Sequence, residues 1–362
     1  MPTFEGLRRR IEPDPQGLID TILRKKTPRR VHHFELGHDM EIIDAICERF
    51  GLGKDIDPDC GRVGSYKILA VHRFLGFDSL GVGCGSGDWL LKWDVTDDTA
   101  ALSRGQRGYL NEHTGPITNW EEFDKFPWPD PHLPEVTHDL EYWSEHLPEN
   151  MVISAMGVGH FCEMLTWLMG YETLCLALYD NRDLVKAISD RLFEFYRVTT
   201  ERALQFERVA ILCPGDDMGF KTATLISPED MREFVLPGHK MVIEKAHAAG
   251  RISVLHSCGN LNEIIPDLVE FGLDGKHSFE DTIEDVREVK HTYGRDMALL
   301  GGIDVDFLCR ADEQAIRKRV RETLDICQPG GGYCLGSGNT VTNYMPVDNY
   351  LAMVDEGRLY AG

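Results

Sequence analysis

Eight apolar, strand-like runs alternating with helix-like segments constrain this chain more than any other feature. The runs lie at 31–37, 78–83, 151–157, 208–214, 252–257, 272–278, 297–303 and 331–336. Between them the apolar spacing predicts helices over 39–50, 160–170, 183–207, 227–249, 261–271, 282–293 and 311–327. Alternation of this kind marks the α/β class, because parallel strands need long crossovers and helices fill them. Eight repeats favour closure of the sheet. The expected fold is a single (β/α)8 barrel of the TIM type over residues 1–362, with 1–30 as an N-terminal helical extension. Residues 84–150 break the rhythm with CGSGD, FPWPDPHLPE and isolated tryptophans, and read as an insertion over the barrel with a short hairpin near 89–97. Ser227-Pro228-Glu229-Asp230 is a strong helix start, with a capping serine, proline in the first turn and acids beside it.

The run LHSCGN at 255–260 carries the clearest chemistry. Residues two apart on a strand share a face, so His256 and Cys258 leave the strand end side by side. Such a pair can hold a metal, and the best third ligand in the sequence is Cys334, at the end of another strand in GGGYCLGSGN. Two thiolates and an imidazole suit zinc, which keeps a fourth position for chemistry. The bland alternative is a buried cysteine acting as a small hydrophobe. Barrel enzymes gather their reactive groups at the C-terminal strand ends. Here those ends carry Glu35, His38, His160, Asp216, Asp217, His277, Glu280, Asp304, Ser337 and Asn339 as well. The glycines of GCGSG at 83–87 and PGGGY at 329–333 lack a phosphate-loop context and read as tight turns.

A formal charge of −22 disfavours nucleic acid as a partner, and the only conspicuously basic stretches are 8–10 and 25–30. Ten scattered cysteines without close spacing point to a reducing compartment, and neither an apolar signal core nor a membrane-spanning run is visible. The expected location is the cytoplasm, without membrane attachment.

Four ordered motifs resemble the uroporphyrinogen decarboxylase superfamily. They are GDDMGFKTATLISPEDMREFVLP at 215–237, HSCGNLNEIIPDLVEFGLDG at 256–275, LLGGIDVDFL at 299–308 and PGGGYCLGSGNTV at 329–341, with a weaker echo at 29–46. The resemblance implies a (β/α)8 barrel. The arginine-rich N-terminal motif of the true decarboxylases is replaced here by the acidic HHFELGHD. The HxC pattern with a distant cysteine is similar instead to the zinc methyltransferases of corrinoid systems, which include methylcobamide:coenzyme M methyltransferases and aryl-ether O-demethylase components. That branch implies Zn²⁺ on His256, Cys258 and Cys334 and a corrinoid (cobalamin) carried by a partner protein.

The expected reaction is therefore methyl transfer between a small methylated substrate or thiol and the corrinoid protein, with the metal as Lewis acid. Carboxylates, aromatics and the tryptophans of 89–167 lean the substrate toward a small O-methyl donor. Asp217 is the first choice as proton carrier or transient fourth ligand, against a capping role or a bond to the Lys221 segment. Glu163 is a candidate to approach the metal against a surface or helix-dipole role, His160 and His277 to hydrogen-bond substrate against the role of satisfied core histidines, and Glu35 and His38 to orient ligands from behind. The rival readings are a metal-free decarboxylase, which needs a basic pocket, and a zinc- or ligand-binding barrel without turnover. The mouth must admit the corrinoid protein, so any homodimer contact is expected on side or bottom helices.

Overall fold

The computed structural model describes residues 4–85, 87 and 89–360. Ser86 and Asp88 of the CGSGD stretch, residues 1–3 of the extension and residues 361–362 lie outside the described residues. Seven of the expected strand runs form β-strands. They are β1 (Ser79–Gly83), β4 (Val152–Met156), β5 (Val209–Cys213), β6 (Ile252–His256), β7 (Gly275–His277), β8 (Ala298–Leu300) and β9 (Tyr333–Cys334), with β2 (Trp93–Asp97) and β3 (Gln106–Leu110) in the insertion. The seven make one sheet in the order β1-β4-β5-β6-β7-β8-β9, and every neighbouring pair is parallel. This is an α/β fold. Its strands are apolar on both faces because helices cover one side and the other side faces inward.

The inward face closes around Leu18 and Ile22 of the helix Pro15–Ile22, which cluster with Phe34, Ile211, Cys213, Ile252, Val254, Ala298, Leu300 and Cys334. The expected N-terminal extension thus ends in an apolar plug, started by Asp14, whose side chain accepts from the Gly17 amide. On the outside, the helix Arg182–Ala203 buries Leu184, Ile188, Leu192, Phe195 and Thr199 along one stripe, at spacings of three and four residues. The single helix expected over 227–249 is divided into Pro228–Phe234 and Leu236–Ala248. Pro237 explains the division, since it lacks an N–H and its ring collides with the preceding turn. Ser227 caps the first of the two as expected, accepting from the Asp230 amide at 3.1 Å.

Residues 31–37 depart from expectation. They make isolated parallel bridges, His33 to Leu335, with a further one from His38 to Val341, and no strand. Backbone bonds tie this segment to the β9 side, with the Phe34 amide donating to Leu335 at 3.0 Å and the Leu335 amide to His32 at 2.8 Å. Toward β1 the link is made by side chains. Asp78, fully buried just before β1, binds His32 Nδ1 at 2.6 Å, pairs with Arg30 and accepts the Asp14 amide at 2.7 Å. The polar side chains of His32, Glu35 and His38 bond Asp78, Ser337 and Tyr350 in turn, where a ladder would have needed two clean neighbours.

The insertion carries a hairpin in which Trp93–Asp97 pairs antiparallel with Gln106–Leu110, so the first strand falls inside the expected 89–97. Its turn is fastened to the loop after β9 by Asn343, whose amide donates to Asp98 at 2.7 Å and to the Leu102 carbonyl at 3.0 Å. No described helix is long and apolar enough to cross a membrane.

Candidate metal centre and cavity

The reactive groups converge where β5 and β6 end. Beyond β5 the chain keeps pairing, with the His256 amide donating to the Pro214 carbonyl and the Asp216 amide to the His256 carbonyl, both at 2.9 Å. This continuation turns the two aspartates to opposite sides. Asp216 is fully buried and accepts the Cys162 and Glu163 amides at 2.9 Å, together with His239 Nε2 at 2.8 Å. It caps the helix Cys162–Met169, where orphan amides and the helix dipole favour an anion. Asp217 faces the other way and accepts the Cys258 amide at 2.8 Å.

Asp217, His256 and Cys258 bring a carboxylate oxygen, an imidazole nitrogen and a sulfur within 4.8 Å of one another. His256 Nε2 stands 3.4 Å from Asp217 Oδ1 and 3.6 Å from Cys258 Sγ. Bond lengths of ~2.0–2.1 Å to nitrogen or oxygen and ~2.3 Å to sulfur put neighbouring donors roughly 3.3–3.6 Å apart around a tetrahedral zinc. The donor set and its spacing therefore fit that ion. Behind the trio, His256 Nδ1 meets His277 Nδ1 at 2.8 Å, which fixes the ring and leaves Nε2 facing Asp217 and Cys258. Burial pushes the Cys258 thiol up to about 12, reinforced by the Asp217 charge. Burial also works to raise Asp217, but the hydrogen bond and charge of His256, with the Cys258 amide, outweigh it and hold the carboxyl down at about 2.

Two glycines make this closeness attainable. Gly259 has φ +85°, and a Cβ there would run into the backbone of Gly219, so the loop carrying Asp217 lies directly against the loop carrying Cys258.

Above the trio opens a cavity of about 700 Å³. Leu36, Trp89, Leu91, Met156, Met164, Trp167 and Tyr196 supply its apolar walls, and His160, Glu163, Asp217, His256 and Asn339 its polar groups. Among the described residues no lysine or arginine lines it. His160 Nδ1 holds Glu163 at 3.0 Å. Burial opposes a charge on His160, but Glu163 and the two nearby aspartates outweigh it and raise the pKa, while burial chiefly raises that of Glu163. A second cavity of about 710 Å³ lies over the loops after β7, β8 and β9 and meets the first at Asn339. Its carboxylates are largely engaged: Asp281 with Arg319, Asp306 with Arg310, and Asp304 as cap of Val305–Arg310.

Three expectations need correction. Cys334 does not join the trio. It is fully buried in the inward apolar cluster, and β7 and β8 stand between its strand and β6, three steps of about 4.8 Å each along the sheet. The mouth end of that strand lies further on, at Ser337 to Asn339, and Asn339 Nδ2 donates to Cys258 Sγ at 3.2 Å. His277 does not line the cavity, because it sits fully buried behind His256. His38 also lies apart, bonded to the Tyr350 hydroxyl at 2.7 Å, while Glu35 accepts from the Ser337 amide and hydroxyl at 2.9 and 2.6 Å. Asp217, rather than Cys334, is the third donor grouped with His256 and Cys258. The sequence reading also missed Ser278, whose hydroxyl donates to Cys258 Sγ at 3.4 Å and for which no motif gave a signal.

Known proteins share parts of this architecture. The chain is 31% identical over 134 residues to a methylated-thiol–coenzyme M methyltransferase of Methanosarcina mazei, covering 37% of this chain and 34% of that protein. It is 26% identical over 163 residues to the methylcobamide:CoM methyltransferase MtaA of Methanosarcina barkeri, covering 43% and 45%. The chain therefore spans a third to under half the length of these curated relatives. The solved structure of a methyltransferase from Methanosarcina mazei has the same fold, with a TM-score of 0.67 over 95% of this chain and 97% of its own at 16% identity. The profile of the uroporphyrinogen decarboxylase family, URO-D, matches residues 108–360, well over half of the chain, and the chain belongs to that family.

Proposed function

We propose that this protein is a zinc-dependent methyltransferase that moves a methyl group between a small methylated substrate and a corrinoid carried by a separate protein. The observation that carries the reading is the spacing of Asp217, His256 and Cys258, of which Asp217 and His256 line the cavity. The names of the two relatives support the reaction class.

Asp217, His256 and Cys258 would hold the ion beside the cavity that Asp217 and His256 line. When bound, zinc supplies a Lewis acid for the heteroatom that gains or loses the methyl group. His277 orients His256 through the Nδ1 contact. The aromatic and thioether walls exclude water and hold an apolar methyl donor, and His160, tied to Glu163 through Nδ1, keeps a proton available at Nε2 for the oxygen or sulfur that is released. The two carboxylates and the lack of any lysine or arginine among the described lining residues disfavour a sulfonated thiol such as coenzyme M and favour a neutral methyl ether or thioether. The same absence speaks against decarboxylation of a polycarboxylate.

We read the seven strands together with 31–38 as a (β/α)8 barrel over 1–362, with 1–30 as its extension. The reading places the protein in the cytoplasm beside its corrinoid partner, with any homodimer contact away from the mouth. The test combines elemental analysis with methyl transfer. About one zinc per chain, and methylation of cob(I)alamin from a neutral aryl methyl ether or thioether, are expected. Wild-type protein without zinc, or demethylation that proceeds with neither cobalamin nor a corrinoid protein, would overturn it.

A further inference from the structure

Lys276 is the one lysine buried among the described residues. It lies on β7 next to His277 but on the opposite face, under the turn that follows the strand. Its ammonium donates to the Ser278 carbonyl at 2.6 Å and stands 4.4 Å over the Phe279 ring. Glu284, Glu280, Asp217 and Cys258 act on it only through space. Burying an ammonium with so little direct compensation is costly, so a local gain must accompany it.

That gain is found at Ser278. Its φ of 88° places it in the left-handed region, which only two other non-glycine residues with described backbone, Arg24 and Leu90, share. A serine persists there only when its surroundings hold it. From that turn its hydroxyl reaches Cys258 Sγ at 3.4 Å, on the same sulfur that Asn339 Nδ2 approaches at 3.2 Å.

We propose that Lys276 is a positioning residue for the Cys258 sulfur, its buried ammonium pinning the Ser278 carbonyl so that the left-handed turn aims the serine hydroxyl at the sulfur. The inference rests on the reading of Asp217, His256 and Cys258 as a metal centre. Hydrogen bonds to a ligand sulfur orient it and tune its grip on a metal. The chain of contacts runs from ammonium to carbonyl, through one residue of backbone, to hydroxyl and thiol.

The test is competition for zinc against a chromophoric chelator, together with the sulfur-to-metal charge-transfer band of cobalt(II)-substituted protein. Wild type, Lys276→Met, Ser278→Ala and the double variant are compared. Each single variant is expected to bind zinc about 10-fold more weakly with a shifted cobalt band, and the double variant no more weakly than the worse single one, because both act through one contact. Lys276→Gln keeps a donor without the charge, and it is expected to stay within about 3-fold of wild type. It also serves if the methionine variant does not fold. Unchanged affinity and band in Lys276→Met or Ser278→Ala, losses that multiply in the double variant, or a Lys276→Gln loss as large as that of Ser278→Ala would each overturn the clamp alone. Failure of the wild type to take zinc would overturn the metal reading and the clamp with it.

Discussion

Cys258 and Cys334 stand at the ends of parallel strands in one sheet, and only one of them has polar company. Cys258 receives the Asn339 amide and the Ser278 hydroxyl and lies within 4.8 Å of donor atoms from Asp217 and His256. Cys334 packs with Phe34, Ile211, Leu300 and the plug residues Leu18 and Ile22. The difference is one of height and position in the sheet. The trio sits where loops begin, whereas Cys334 is followed by a segment that still pairs, through Leu335 and Ser337, before the mouth is reached. A thiol inside the stave level is filler, and a thiol just past it can be a ligand.

The sharpest way to break this contrast is to remove each sulfur. Cys258→Ala is expected to lose bound zinc from about one per chain to near none, while Cys334→Ala keeps zinc and loses about 1–2 kcal/mol of stability from the small void. Elemental analysis beside urea melts checks both, and zinc loss in the second variant alone would reverse the assignment. The neighbouring aspartates give the next largest effect. Asp217→Asn should weaken zinc binding by about 10–100-fold at nearly unchanged stability, whereas Asp216→Asn should keep zinc and lose roughly 2–3 kcal/mol with the helix cap and the His239 partner. Chelator competition and thermal melts separate the two. Gly259→Ala forces a side chain into the Gly219 backbone at positive φ, with an expected cost of about 2–4 kcal/mol and weaker zinc binding. Equal stability of that variant in urea would show that the two loops part easily.

A pH-dependent effect concerns Glu35, on the β9 side of the mouth. Burial pushes it to about 8 despite two hydrogen bonds from Ser337. The folded chain therefore keeps a proton that the unfolded chain gives up above the ordinary 4.5. Its stabilising contribution is full below that value and is lost as pH rises toward about 8. Glu35→Gln should flatten the fall in stability between about pH 5 and 8, by on the order of a few kcal/mol, in melts across that range. A wild-type curve that is already flat there would refute the buried proton.

Much of this was legible locally. Alternation of apolar runs placed seven strands, and the two-residue spacing placed His256 and Cys258 together, because strand period is a property of adjacent residues. Asp217 was legible as a mouth residue, since it follows the β5 run. What failed was non-local. That β7 and β8 separate Cys334 from β6 depends on strand order, and that His277 faces the back of His256 depends on register. Residues 31–37 carry a strand's composition, but their polar side chains find Asp78 and Ser337, partners that lie 46 and 302 residues away in the chain. Lys276 stands out of place in the apolar run at 272–278, but nothing in the sequence points to the Ser278 carbonyl, two residues on, as its partner.

Asp78 has a mechanical consequence. Its single carboxylate meets the backbone before the plug helix, the 30–32 segment and the foot of β1. Everywhere else along the sheet, neighbours are joined by repeated backbone bonds that fail one at a time. Here three pieces of chain share one rivet, so the wall has a seam whose strength is that of a side chain, and hydrogen exchange should begin its advance into the sheet there.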